Sequence, residues 1–320
     1  MRQRIATAVP VVLSLAFLGI VVWWALRQEP PELPRTQNDL VALLGALGFY
    51  ALATLLRAER WHLIVRHAEI PATRRDTYPL TTVGYMGNNV LPARSGDLLR
   101  AFLLAPVAGA RKREALGTVV AERILDAVAL ALVFATAALV LVKDAGVPES
   151  RVLGIGAASL AFLAVLGVLA IIWARRTGAL ERLRAALRPL AAPTRRLPSL
   201  HGVGLLVISL AVWTLEAAAY LGVARAVNLD LSPQEALYVM AVTNLFALVP
   251  AAPGYVGTFD AAVLFAVHRL GATGSTAVTY LVLLRFVLFV PITLVGLFFL
   301  ATRYGGWSQI RGMRLRANPG

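Results

Sequence analysis

Six apolar stretches, each long enough to cross a bilayer, decide most of what this chain can become: residues 5–26, 40–57 with a polar tail to about 66, 116–142, 152–174, 201–226 and 276–302. A helix rises about 1.5 Å per residue, so roughly 20 apolar residues cross a hydrocarbon core of about 30 Å. Backbone polar groups have no water to bond there, and a self-satisfied helix is the simplest solution. Only 15% of the residues are charged and 58% are hydrophobic, against about a quarter charged in soluble domains. The expected class is an all-α integral membrane protein with about six transmembrane helices.

Two further apolar stretches fail the length test. Residues 79–108 are interrupted by Gly84, Gly87, Asn88, Asn89, Pro92, Arg94, Gly96, Asp97 and Arg100. Residues 236–270 are interrupted by Asn244, Pro250, Pro253, Gly254, Gly257 and Asp260. Each splits into two arms too short to span at about 1.5 Å per residue. They are expected to form re-entrant hairpins, their irregular backbone sheltered by protein or a watery cavity.

The charge pattern sets the expected topology. The net charge is +14 and the pI about 11.2, but the basic residues sit in short loops, not on one soluble face as nucleic-acid binding requires. Arg2 and Arg4, Arg60, Arg66, Arg74 and Arg75, Arg111 to Arg113, the arginines of 175–200, and those from Arg303 onward fall on one side. The alternate loops, 27–39, 143–151, 225–235 and 268–275, are poor in Lys and Arg. The positive-inside rule then places both termini in the cytoplasm, in a bacterial-type cytoplasmic membrane. Trp23 and Trp24 close the first run as an interfacial anchor would, so it is expected to be a retained helix and not a cleaved signal. Residues 178–190 space Leu180, Leu183, Leu187 and Leu190 as an amphipathic surface helix would.

The two broken regions resemble one another. Each reads as helix, hairpin, helix, over about 40–142 and 201–302 within a single transmembrane domain, 1–320. Asp97 precedes Arg123 by 26 residues, and Asp260 precedes Arg285 by 25. One helix, 152–174, separates the units, so they are expected to be inverted. Inverted repeats whose broken helices meet near the midplane are a recurring transporter plan.

Charges within membrane helices cost about 2.5–3.5 kcal/mol each on insertion scales and are kept for a reason. Glu122, Arg123 and Asp126 lie near the start of one span, and Arg285 well inside another. Arg94 and Arg100 could neutralise the excess acid. One reading is a structural ion network; the other adds an anionic ligand. The second hairpin arms start near Ser95-Gly96-Asp97 and Tyr255-Val256-Gly257, and helix starts favour phosphate. Asp97 and Asp260 could instead cap those starts, leaving Arg94, Arg123 and Arg285 to bind bidentately. Asn88, Asn89 and Asn244 offer neutral donors, and Pro253, Gly254 and Gly257 shape the second break.

The chain has no cysteine, and His62, His67, His201 and His268 lack metal-ligand spacing. No catalytic set, P-loop or cofactor motif occurs, so neither enzyme activity nor a cofactor or metal is expected.

Three segments carry a family resemblance: GYMGNNVLPARSGDLLRAFLL at 84–104, AERILDAV at 121–128 and NLFALVPAAPGYVGTFDAAV at 244–263. In this order they resemble the lysylphosphatidylglycerol synthase transmembrane, flippase-like family. The resemblance implies flipping of an anionic lipid, phospholipid or polyprenyl-phosphate-linked. No aminoacyl-transferring domain follows the membrane region here, so synthase activity is not expected. The competing expectation is a non-transporting scaffold or subunit partnering a lipid-modifying enzyme; a homo-oligomer is also compatible.

Overall fold

The computed structural model describes Trp23 and residues 34–91, 95–144, 200–246 and 253–305, with backbone alone for 137–144. The expected helices at 5–26 and 152–174, the surface helix at 178–190, and Pro92, Arg94 and Pro250 lie outside the described residues.

Among the described residues the fold is helical, with no strand. Helix α1 runs Gln37–His67, α2 Arg74–Val90, α3 Ser95–Val107 and α4 Lys112–Asp144. Then come α5 Leu200–Ala226, α6 Pro233–Phe246, a 3-10 turn Pro253–Tyr255, α7 Thr258–Arg269 and α8 Gly274–Arg303. Helices α1, α5 and α8 are long and apolar enough to cross a membrane. The broken arms α2, α3, α6 and α7 have 17, 13, 14 and 12 residues, about 18–26 Å at 1.5 Å per residue.

Short polar motifs set several helix starts. Thr36 Oγ1 accepts from the Asp39 amide at 3.2 Å, and Asp39 accepts from the Thr36 amide at 3.0 Å. Ser232 and Glu235 repeat this reciprocal capping at α6, at 3.3 and 2.7 Å. At α2, Asp76 accepts from the Thr73 amide at 2.9 Å.

The first helices of the two units, α1 and α5, pack antiparallel. Gly222 lies against Ala46, Arg57 pairs with Glu216, Arg60 with Ser209, and His67 stacks on His201. A Cβ on Gly222 would stand 3.0 Å from the Ala46 side chain, the close approach small residues permit. Helix α8 runs antiparallel to α2, from Gly296 under Thr82 and Met86 to Arg303, which donates to the Arg75 carbonyl at 2.9 Å. Helix α4 packs on α6. Each unit's last helix therefore lies against the first arm of the other unit's hairpin.

The hairpins open toward opposite ends. Residues 65–72, 105–115 and Tyr304 cluster at one end, where α2 begins and α3 finishes. Residues 34–39, 226–228 and 275–279 gather at the other, beside the ends of α6 and α7. Among the described residues, Arg66, Arg74, Arg75, Arg111 to Arg113 and Arg303 thus belong to one end, and the acid-bearing segments 34–39 and 225–235 to the other. The tips meet between them: a Cβ on Gly254 would lie 3.3 Å from the Asn89 carbonyl.

Arms α2 and α3 cross at bare backbone. A Cβ on Gly96 would fall 1.9 Å from the Gly84 carbonyl and 2.4 Å from the Asn88 nitrogen. In the second hairpin, Gly254, Tyr255 and Gly257 take φ of 64°, 54° and 86°. Two of these three left-handed positions are glycine, which carries no Cβ penalty there.

Candidate functional site

The largest ion-pair cluster among the described residues sits where α1, α3 and α4 converge. Arg60 is completely buried and reaches Asp126 Oδ1 at 2.7 Å, Glu122 Oε1 at 3.1 Å and Ser209 Oγ at 2.7 Å. Arg100 reaches Glu122 Oε2 at 2.8 Å and Asp97 Oδ1 at 3.0 Å, with its guanidinium 4.7 Å from the centre of the Trp61 ring. Three arginines, 60, 100 and 123, face three acids, 97, 122 and 126, so the cluster is neutral. Arg100 neutralises Glu122 as its position suggested. Arg60 does not lie in a loop, as its charge suggested: α1 continues past the apolar run to His67 and carries Arg60 into the core.

Arg123 is held differently. Its contacts to Asp126, Glu122 and Asp97 are 3.2, 3.4 and 3.5 Å, longer than the roughly 2.7–2.9 Å of a strong charge-assisted bond. Its side chain is 31% exposed, against 0% for Arg60 and 2% for Arg100. Among the described arginines of this network it alone lacks a short contact.

A second pair joins α1 to α5. Arg57 pairs with Glu216, which also accepts from Asn244 Nδ2 at 3.0 Å. The Arg57 guanidinium lies 5.3 Å from the Trp213 ring centre, 5.6 Å from Tyr85 and 6.0 Å from Tyr50, within the range of cation–π attraction. Sequence reading missed Arg57 and Glu216. An acid midway along an apolar helix needs a partner, so Glu216 was the available signal.

The third pair mirrors Asp97 and Arg123 in the second unit. Arg285 pairs with Asp260 and donates to the Gly254 carbonyl at 3.3 Å. Its guanidinium sits 5.3 and 5.2 Å from the Phe259 and Phe289 ring centres. Asp260 in turn accepts from the Gly257 amide at 2.8 Å. Arg285 thus clamps the left-handed turn to α7 and α8.

The asparagines serve the hairpins. Asn88 Oδ1 accepts from the Asp97 amide at 3.3 Å, so one arm caps the start of the other. Asn89 Nδ2 donates to Thr293 Oγ1 at 2.8 Å. Both second-arm starts therefore already have internal acceptors: Asp260 at α7, one of the two acids expected to cap, and at α3 Asn88, which the sequence did not suggest.

A cavity of about 100 Å³ lies where the hairpin tips meet. Its polar wall is Arg57, Arg123, Asp126, Glu216, Asn88, Asn89 and Asn244; Tyr50, Tyr85, Trp213, Tyr220, Tyr255, Phe259 and Phe289 supply aromatic faces. The indole Nε1 of Trp213 is buried there without a hydrogen-bond partner. The structure brings Asn88, Asn89, Arg123, Asp126 and Asn244 to the cavity. Asp97, Arg100 and Glu122 stand behind Arg123, and Gly254, Gly257, Asp260 and Arg285 form the turn beside it. Among the described residues no group of three metal-ligating side chains occurs.

The sequence model of the family described as the Lysylphosphatidylglycerol synthase TM region matches residues 11–296. Two UPF0104 membrane proteins of Methanothermobacter thermautotrophicus are similar to the chain. One is 25% identical over 284 residues, covering 81% of this chain and 84% of the relative. The other is 22% identical over 312 residues, covering 89% and 90%. No solved structure matches the chain significantly.

Proposed function

The chain belongs to the lysylphosphatidylglycerol synthase transmembrane family, and we propose that it moves an anionic lipid between leaflets, with the head group passing through the cavity at the hairpin tips. The observation that carries this reading is Arg123: a guanidinium at a cavity wall, loosely held by three acids and partly exposed. Burying a charge is costly unless it is fully paired. A purely structural Arg would be expected to show the short contacts of Arg60 and Arg100. An incoming phosphate can take one edge of the Arg123 fork bidentately while the acids beside it keep the guanidinium aimed. The unpartnered Trp213 N–H supplies a further donor to the same space.

The antiparallel first helices, the exchanged packing of α8 on α2 and α4 on α6, and the opposed hairpins support an inverted repeat with the site on its pseudo-axis. We place the Arg-rich end in the cytoplasm by the positive-inside rule. The chemistry asked of the residues is binding and release, with no bond made, so we read the protein as a transporter and not an enzyme. The scaffold alternative predicts a core indifferent to lipid.

The test is native mass spectrometry of the purified protein released from detergent. Wild type is expected to retain an anionic lipid, and Arg123→Gln to lose it while keeping its melting temperature. Equal retention by both would remove Arg123 from the site.

A further inference from the structure

Beside the polar cavity runs a second space of about 280 Å³, and the two share Tyr50 and Ile292 as walls. One side of this cleft is α1, through Leu47, Ala51, Thr54 and Leu55; the other is α8, through Val287, Pro291 and Val295. The α1 residues span eight positions on one helix face, and so do those of α8, giving a cleft about 12 Å long at 1.5 Å per residue. Thr82 of α2 contributes the one further wall residue.

The chemistry of the cleft is opposite to that of the cavity. Its threonine hydroxyls are spent on their own helices: Thr54 donates to the Tyr50 carbonyl at 2.9 Å and Thr82 to the Pro79 carbonyl at 2.8 Å. None of its residues carries a charge. Leu55 and Val295, at the two rims, are 54% and 43% exposed, and between them the small Ala51 and the ring of Pro291 leave room. Pro291 has no N–H to give the Val287 carbonyl, so α8 is weakened where it borders the cleft. The rims belong to two of the helices suited to crossing a membrane, so the cleft opens toward lipid.

A charged head group reaches a buried polar cavity without leaving its membrane only if its chains remain in an apolar path alongside. We propose that the cleft between α1 and α8 is the acyl-chain slot of the lipid whose head group occupies the cavity, with Tyr50 and Ile292 as the threshold between the two. The proposal rests on the transport reading above and adds where the lipid enters and lies. The occupant is an acyl chain and not a partner helix, because a space of about 280 Å³ is too small to seat a helix about 10 Å across along its length. Contact with hydrocarbon is no gain over the bilayer itself, so the slot acts by shape, and blocking it should act by shape as well.

The probe is phosphatidylglycerol carrying a diazirine midway along one acyl chain, incorporated in phosphatidylcholine vesicles with the full-length protein. On illumination, wild type is expected to crosslink within 47–55 and 287–295. Ala51→Trp and Val295→Trp fill the slot from opposite walls at exposed positions. Each is expected to reduce these crosslinks to the unilluminated level and to abolish flipping, with the melting temperature unchanged. Arg123→Gln should reduce the same crosslinks, because the head group no longer anchors the chain. Crosslinks that persist in both Trp variants, or that map elsewhere while still depending on Arg123, overturn the slot and leave the head-group site standing. Slot crosslinks indifferent to Arg123→Gln overturn both.

Discussion

Arg60 and Arg123 share two acids, yet the geometry assigns them different work, and replacing each separates the roles. Arg60 is fully buried with contacts of 2.7 and 3.1 Å to Asp126 and Glu122. Arg60→Met keeps most of the side-chain volume but leaves three acids facing two arginines in a core closed to water. Removing one partner of a buried pair costs about 3–5 kcal/mol. Adding Asp126→Asn restores the balance, so the double variant should recover about half of that loss, a coupling readable in a double-mutant cycle. Arg123, 31% exposed and without a short contact, should cost less as Gln than Arg60 does as Met, because Arg60 and Arg100 hold the same acids at shorter range. The assay is reversible unfolding in mixed micelles, followed by tryptophan fluorescence. An Arg60→Met protein as stable as wild type, or an Arg123→Gln loss equal to that of Arg60→Met, would refute the division into a structural and a ligand-facing arginine.

Gly96→Ala would place a Cβ 1.9 Å from the Gly84 carbonyl, with backbone on both sides; the arms must part, costing at least about 1–3 kcal/mol, and an unchanged thermal melt would contradict the crossing. Arg285→Gln should loosen the 253–257 turn, seen as faster amide exchange over residues 253–260, and unchanged protection there would contradict its role as a clamp. Cysteines placed singly at Val147 or Asp230 should be labelled from outside intact cells, and those at Gly178 or Gly312 should not; the reverse pattern would invert the topology.

The sequence was most legible where length and punctuation speak together. The runs at 40–57, 116–142, 201–226 and 276–302 became α1, α4, α5 and α8, and both broken regions became paired short helices at the expected places. The matched Asp-to-Arg spacing, read in the sequence only as the mark of a repeat, coincides with two contacts, Asp97 with Arg123 and Asp260 with Arg285. What was hidden was the destination of charge at the end of an apolar run. Arg57 and Arg60 look like the start of a basic loop, because periodicity cannot tell a helix that stops at the interface from one that continues against other helices. Their acids, Glu216 and Glu122, lie 159 and 62 residues away, and such pairings are set by packing. The capping use of Asn88 was equally invisible, since it depends on one arm folding over the next.

Reconstituted flipping decides whether a lipid crosses through the Arg123 cavity. Vesicles of phosphatidylcholine containing a trace of head-group-labelled phosphatidylglycerol are prepared with wild type, with Arg123→Gln, and without protein. A membrane-impermeant reductant then reports the label reaching the outer leaflet. Rapid loss of the inner-leaflet signal is expected with wild type, and protein-free behaviour with Arg123→Gln at an equal amount of folded protein. Flipping by Arg123→Gln at the wild-type rate would contradict passage through that cavity.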